Sequence, residues 1–196
     1  MDFTHFNFYL SRSRQLVDSI RKQNPKVLKT DGYNEIFDLP DTGGIVRNLA
    51  ADCTILEVEY VFVRKLQREG FPVIAGDIRK IPFEENTFDG ILDLSTIDHV
   101  SKNDVYTVFQ EYARVLKPGG RLLIVGWMAE NPMVRDETER RGHTWTSLNQ
   151  YFFDPKDFKD NLASLFTIES TERVPIGNPQ DDSYLLAFTA TVKKQA

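Results

Sequence analysis

A single cysteine, Cys53, stands in a chain of 196 residues. That excludes an intramolecular disulfide and a cysteine-rich zinc site, so no metal is expected, and it fits a reducing compartment. Positive charge is in deficit as well: 24 Lys and Arg stand against 29 Asp and Glu, a formal net charge of −5. The basic face that a general nucleic-acid binder needs is therefore not expected. The longest apolar run, Leu122 to Met128, falls far short of the roughly 20 residues of a membrane-spanning helix. Met1 to Gln15 sets Asp2, His5, Arg12 and Arg14 among its aromatics and lacks a leader's apolar stretch, so the expectation is a cytoplasmic protein. With repeats and low-complexity linkers also missing, the chain reads as one domain over residues 1–196.

What is present is an alternation of short apolar runs with segments of helical period, the mark of a largely parallel sheet covered by helices. Val105, Val108, Phe109, Tyr112, Val115 and Leu116 share one face of a helix expected over Asn103 to Leu116, with Ser101 and Asp104 at its start. Lys117-Pro118-Gly119-Gly120 ends it. Asp154-Pro155 opens a later helix as N-cap and first-turn proline. Further helices are expected over Ser11 to Lys22, Ile45 to Ala51 and Tyr60 to Glu69. Strands are expected at Glu35 to Leu39, Thr54 to Val58, Pro72 to Ala75, Phe88 to Leu94 and Arg121 to Trp127. Phe166 to Glu172 and Tyr184 to Val192 follow as an antiparallel pair with no helix between them. The expected architecture is a three-layer α/β sandwich. Residues 1–34 form a helical lead-in and the sheet core spans 35–196.

Ligands of such sheets bind beyond the carboxyl ends of the strands. The expected first strand runs into Asp38-Leu39-Pro40-Asp41-Thr42-Gly43-Gly44, where the glycines permit a tight turn and close backbone approach. Glu57, with Val58 after it, ends the next strand where a carboxylate can accept from ribose hydroxyls. Asp77 ends the third, able to accept from an exocyclic amine, and the fourth trails into Asp93-Leu94-Ser95-Thr96-Ile97-Asp98-His99.

From Ile36 to about Val192 these features resemble a class I S-adenosylmethionine-dependent methyltransferase of the small-molecule branch. Gly76-Asp77-Ile78-Arg79-Lys80-Ile81-Pro82-Phe83 is similar to the family's GD-x-x-x-L-P-F segment. Phe88-Asp89 and Ile97-Asp98-His99-Val100 resemble its FD and L-x-H-V stretches. Glu111 to Leu122 matches the helix, turn and fifth strand that follow, and Tyr151 to Phe158 the approach to the last helix. The departure lies in the first motif, D-x-G-x-G-x-G in the family. There Asp38 and Gly44 match, but Pro40 and Thr42 replace two glycines.

The resemblance implies a Rossmann-like methyltransferase fold whose seven-stranded sheet is mostly parallel, with S-adenosylmethionine as cofactor. It assigns cofactor binding to Asp38, Leu39, Gly43, Gly44, Glu57, Val58, Asp77, Ile78, Asp93, Leu94 and Ser95. His99 with Asp98 is the candidate base, and His143 and Tyr151 could line the acceptor side. The expected reaction is methyl transfer to an oxygen or nitrogen of a small molecule. The altered first motif points instead to a second reading, a non-catalytic relative serving as a partner or regulatory subunit. A nucleotide-binding enzyme of other chemistry is third, since the loop has neither the P-loop's lysine and Ser/Thr nor G-x-G-x-x-G.

Overall fold

The computed structural model describes residues 4–38, 44–136, 149–174 and 183–193. Helix α1 (Thr4–Ser19) leads into strand β1 (Lys26–Lys29), followed by a π-helical turn (Asn34–Asp38) and a 3-10 turn (Val46–Asn48). Next come β2 (Asp52–Glu57), α2 (Tyr60–Arg68), β3 (Val73–Ala75), β4 (Phe88–Leu94) and a 3-10 turn (Ile97–His99). The chain continues through α3 (Val105–Val115), β5 (Leu116–Met128), β6 (Met133–Asp136) and β7 (Asn149–Phe152). It closes with α4 (Pro155–Leu165), β8 (Phe166–Arg173) and β9 (Tyr184–Val192).

Seven strands form one sheet in the order β3-β2-β1-β4-β5-β9-β8, and β6 and β7 form a separate antiparallel pair. Strands β1 to β5 run parallel, while β9 is antiparallel to both neighbours. The expected fold is the one observed: a mostly parallel seven-stranded sheet that ends in an antiparallel pair.

Successive residues of a strand point to opposite faces, and the core divides accordingly. Leu28, Leu56, Ile91 and Leu122 pack with Val108, Phe109 and Tyr112 of α3 and Phe158 and Leu162 of α4. Their neighbours Val27, Ile55, Leu92 and Leu123 pack with Phe6, Tyr9, Leu16 and Val17 of α1 and Leu66 of α2. Asp154 caps α4, its carboxylate accepting from the Asp157 backbone N–H at 2.8 Å, with Pro155 in the first turn. At α3, Ser101 donates to the Asp104 carboxylate at 2.9 Å, and the helix begins only at Val105 with no side-chain cap.

Several segments depart from the expectation: the helix expected over Ser11 to Lys22 is Thr4–Ser19, and Lys117 to Gly120 lies within β5. The helix expected over Ile45 to Ala51 shrinks to the three-residue turn Val46–Asn48. More consequentially, Glu35 to Leu39 is not the first strand: its described part lies within the π-helical turn, and the first strand is Lys26–Lys29, an interior strand between β2 and β4. The core thus begins inside what reads as a lead-in. Only Val27 and Leu28 of β1 are apolar, and the strand pairs with β2 on one side and β4 on the other. Its terminal Lys29 is fully buried, which no apolar-pattern scan anticipates.

Lys29 is tolerated because three groups surround its ammonium. It donates to the Asp31 backbone carbonyl at 2.7 Å and pairs with the Glu35 carboxylate at 3.2 Å and the Asp31 carboxylate at 3.4 Å. Burial would lower its pKa, but the two carboxylates outweigh burial and hold it above its ordinary value. The other Glu35 oxygen accepts from the backbone N–H groups of Ile45 and Val46, both at 3.1 Å, satisfying the start of the 3-10 turn. Gly44 sits at φ +63°, and a Cβ there would lie 2.7 Å from the Glu35 Cα. Glycine is required twice over, by backbone conformation and by space.

Two stability predictions follow from this loop. Gly44→Ala should cost about 1–3 kcal/mol from strain and crowding, whereas Gly119→Ala, at φ +76° with nothing within 4 Å, should cost at most about 1 kcal/mol. Lys29→Met should cost about 3–5 kcal/mol because it leaves Glu35 buried without its cation, and adding Glu35→Gln should recover part of that loss. Urea unfolding midpoints of the four variants check both statements. Equal losses for the two glycine variants, or an unchanged midpoint for Lys29→Met, would contradict them.

Candidate functional site

The carboxyl ends of β1, β2, β3 and β4 lie along one edge of the sheet. Glu57 is the last residue of β2 and is 5% exposed. One of its oxygens accepts from the Gly32 backbone N–H at 3.0 Å and the other from that of Glu59 at 2.9 Å. A carboxylate offers about four lone-pair sites, so acceptor capacity is left on both oxygens. Burial raises its pKa to about 7, against the lowering by those two backbone bonds.

Beside Glu57 the chain exposes an apolar shelf: Val58 at 61%, Tyr60 at 66% and Val61 at 73%. Exposed apolar side chains gathered at a strand end suit a flat, partly apolar ligand better than bulk water. On the neighbouring β3 end, Asp77 is half-buried and held by Arg79, whose Nε reaches both carboxylate oxygens at 3.0 Å. That guanidinium keeps the Asp77 carboxyl below its ordinary pKa. Ile78 points into the core.

At the β4 end, Asp93 and Leu94 are core residues and not part of the open edge. One Asp93 oxygen accepts from the Thr96 and Ile97 backbone N–H groups at 2.8 and 3.1 Å, and the other from the Tyr112 hydroxyl at 2.7 Å. Asp93 therefore fixes the turn after β4 and ties α3 to it. Its full burial raises the carboxyl pKa to about 7. Ser95 stands at φ +75°, a left-handed conformation unusual for a residue with a Cβ. Its hydroxyl lies 3.0 Å from that of Tyr9 on α1. Thr96 donates to the Asp31 carboxylate at 2.8 Å, so the β4 turn and the β1 loop are joined.

The adjacent pair Asp98 and His99 divides. Asp98 is fully buried and accepts from the Trp127 backbone N–H at 2.7 Å; burial pushes its carboxyl well above the usual range. His99 is half-buried, and its Nδ1 lies 3.2 Å from the Asn149 carbonyl oxygen on β7. A carbonyl can only accept, so Nδ1 is the donor in this contact, which in the neutral ring leaves Nε2 as the acceptor nitrogen. Trp127 and Phe152 pack together nearby with ring centroids 5.5 Å apart, and Tyr151 is half-buried on the same β7 strand.

Glu57, Val58, Ser95 and His99 are thus on or beside the strand-end edge, with Asp77 at its β3 side. Asp93, Leu94, Ile78 and Asp98 support it from within. Gly44 is required by the packing of the β1 loop, and Asp38 is the last residue of the π-helical turn instead of a strand end. Leu39, Gly43 and His143, with Pro40 and Thr42, lie outside the described residues. The residues that sequence reasoning missed are Lys29, Asp31, Gly32 and Thr96, all dependent on where β1 lies. The Asp31-Gly32 pair, an acid and a glycine directly after Val27-Leu28-Lys29-Thr30, was the available signal. Among the described residues no group of His, Cys, Asp and Glu is placed to hold a metal ion, and no helix is long and apolar enough to cross a membrane.

Residues 41–124 match the methyltransferase-domain family. The 24-methylenesterol C-methyltransferase 3 of Arabidopsis thaliana is 33% identical over 69 residues, which are 35% of this chain and 19% of that protein. The demethylmenaquinone methyltransferase of Streptomyces avermitilis is 39% identical over 62 residues, 32% of this chain and 26% of that protein. The chain thus matches only about a fifth to a quarter of the length of these relatives. A solved structure of the Burkholderia thailandensis 1,6-didemethyltoxoflavin-N1-methyltransferase, with its substrate and S-adenosylhomocysteine bound, superposes with a TM-score of 0.65. It is 18% identical, and the superposition covers 95% of this chain and 79% of that one. The [4+2]-cyclase SpnF shares the fold as well, at a TM-score of 0.64 and 17% identity, covering 93% of this chain and 80% of that one. One scaffold therefore carries more than one chemistry. Residues 41–124 are thus similar to a methyltransferase domain, and the sheet has the fold found in S-adenosylmethionine-dependent methyltransferases.

Proposed function

We propose that the protein transfers a methyl group from S-adenosylmethionine to an oxygen or nitrogen of a small-molecule acceptor. The observation that carries this is Glu57. A buried carboxylate with spare acceptor capacity ends β2 beside an exposed apolar shelf, a combination suited to a ribose diol joined to a purine. Val58 and Tyr60 would lie against the base, with Asp77 reaching its amine once Arg79 releases a carboxylate oxygen. The family match and the S-adenosylhomocysteine held by the Burkholderia relative support the same reading.

When bound, the cofactor supplies an electrophilic methyl group on a sulfonium. The chain's own part is to hold the acceptor in line with it and to keep water away. Glu57 would hold the ribose of the cofactor, which would give up its methyl to the acceptor's lone pair and keep the electron pair of the broken carbon–sulfur bond. For a hydroxyl acceptor the proton goes to His99 Nε2, whose lone pair the Asn149 carbonyl orients. Asp98 acts as a positioning residue, anchoring the His99 turn to β5. Trp127 and Tyr151 would flank the acceptor.

A second reading, a non-catalytic partner protein, has one observation in its favour. Glu35 fills the backbone N–H groups of Ile45 and Val46 with the chain's own carboxylate.

Calorimetric titration of ligand-free protein with S-adenosylhomocysteine separates the two: saturable binding supports the enzyme, and none supports the partner. Because two ribose hydroxyls need an ionised acceptor and Glu57 titrates near 7, binding should weaken as pH falls below that value. It should be about tenfold weaker at pH 6 than at pH 8, and Glu57→Gln should bind weakly with that dependence removed. In a screen of phenol, quinol and amine acceptors with methyl-labelled cofactor, His99→Gln should lower kcat by about 10²-fold or more. Its affinity for S-adenosylhomocysteine should not change. Full turnover in His99→Gln would remove the base assignment.

A further inference from the structure

At the opposite end of the sheet from Glu57 and its shelf, the described residues border a cavity of about 330 Å³ between the end of α1 and the start of β5. The seven residues of β4 set the two ends of the sheet roughly 20 Å apart. The cavity owes its shape to a bulge. Strand β5 pairs with β4 at Leu116 and again from Arg121, and with β9 only from Arg121 onward. Lys117-Pro118-Gly119-Gly120 therefore has no partner in register on either side. Gly119 holds φ +76° there, and a Cβ on it would meet nothing within 4 Å. Bare backbone thus borders the open space.

The walls carry more positive charge than they neutralise. Asp89 is already spent: one oxygen takes the Lys117 ammonium at 2.8 Å, and the other takes the Lys22 ammonium and the Lys26 backbone N–H, both at 2.9 Å. Arg121 pairs with Glu169, yet its Nε is buried with no hydrogen-bond partner among the described residues. Arg21 lines the cavity as an exposed guanidinium with no ion pair among the described residues. Lys22, Lys117, Arg21 and Arg121 thus face only Asp89 and Glu169, a local positive surplus in a chain of net charge −5. The carboxyl end of α1, which would repel an anion, is covered. The Ile20 N–H donates to the Leu16 and Val17 carbonyls at 3.3 and 3.0 Å, and the Ser19 hydroxyl to that of Leu16 at 2.6 Å.

A partly desolvated guanidinium with an unspent N–H selects an oxyanion, and two guanidinium groups beside a lysine match the several oxygens of a phosphate. The volume, near the lower end of the roughly 300–1,000 Å³ of small-molecule sites, holds a phosphate with a small body attached. We propose that this cavity is a second ligand site, taking the phosphate monoester of a small soluble molecule between Arg21, Lys117, Arg121 and the Gly119 backbone. The site is separate from the strand-end edge and does not depend on the reading of Glu57.

Titration of isotope-labelled protein followed by NMR makes the test, at low ionic strength and about pH 8, where a phosphate monoester is a dianion. Glycerol 3-phosphate should shift the backbone amides of Gly119, Gly120 and Arg121 saturably, and inorganic phosphate should shift the same amides. Glycerol, and sodium chloride at matched ionic strength, should leave them in place. Arg121→Gln should weaken binding of glycerol 3-phosphate at least about tenfold, and Arg21→Gln about threefold, with cooperative urea unfolding retained. Gly119→Asp sets a carboxylate in the open space at a φ that aspartate tolerates, and it should abolish binding; with Arg21→Gln it carries the test if Arg121→Gln does not fold. Shifts that fail to saturate, or that chloride reproduces, would mean an adventitious ion only and overturn the proposal. Unchanged affinity in Arg21→Gln and Gly119→Asp would overturn it as well. So would binding to phosphatidylcholine vesicles containing phosphatidic acid without any response to the soluble ester, which would make the site a lipid contact.

Discussion

A buried ammonium at the end of an interior strand sets the terms for the rest of the strand-end edge. Lys29 closes β1, and its desolvation is offset only by groups that the following residues must bring back to it. Asp31 returns both a carbonyl and a carboxylate, and Glu35 returns a second carboxylate. Because Glu35 also accepts the first N–H groups of the Val46 turn, the loop's path is dictated by where the lysine lies. Gly44, unable to carry a side chain against Glu35, is the consequence at the far end of the loop.

From that cluster hydrogen bonds run sideways into the neighbouring strands. Asp31 takes the Thr96 hydroxyl, Thr96 places its N–H on Asp93, and Asp93 holds Tyr112 of α3. In the other direction, Gly32 reaches Glu57 on β2. The ends of β1, β2 and β4 are thereby one connected polar layer, with most of its members buried and bonded. Such a layer presents a few outward carboxylates in a fixed geometry, as small-molecule sites with a few placed polar groups do.

The segments that carry the family resemblance turn out to serve the fold more than the chemistry. Glu111 accepts from the Ile81 backbone N–H, and Arg114 donates to the carbonyls of Ile81 and Phe83. The helix of one motif thus fastens the loop of another. Asp89 gathers Lys22, Lys117 and the Lys26 N–H at the opposite end of the sheet. Partial burial opposes it, yet the two lysines hold its pKa down at about 2. These constraints explain why the order of motifs is a strong guide to architecture and a weaker one to activity.

The sequence by itself determined whatever depends on local pattern: the helices with an apolar face, the Asp154-Pro155 start, β4 and the closing strands β8 and β9, and through them the fold class. It also placed Glu57 correctly, because a strand end can be read from the run of Thr54, Ile55 and Leu56 before it. Only the tertiary structure decided where the first strand lies. A four-residue strand with lysine at both ends has no legible period, and its buried charge makes sense only beside carboxylates that the fold delivers. Glu35-Ile36-Phe37-Asp38-Leu39 reads as a short, largely apolar run of strand type, but Glu35 is spent on Lys29 and the chain turns there instead. The separation of Asp98 from His99 has the same origin. Adjacent in the chain, they take different partners because the backbone of β5 claims one and that of β7 the other. Patterns of polarity are local, whereas the partner that neutralises a buried charge is chosen by packing.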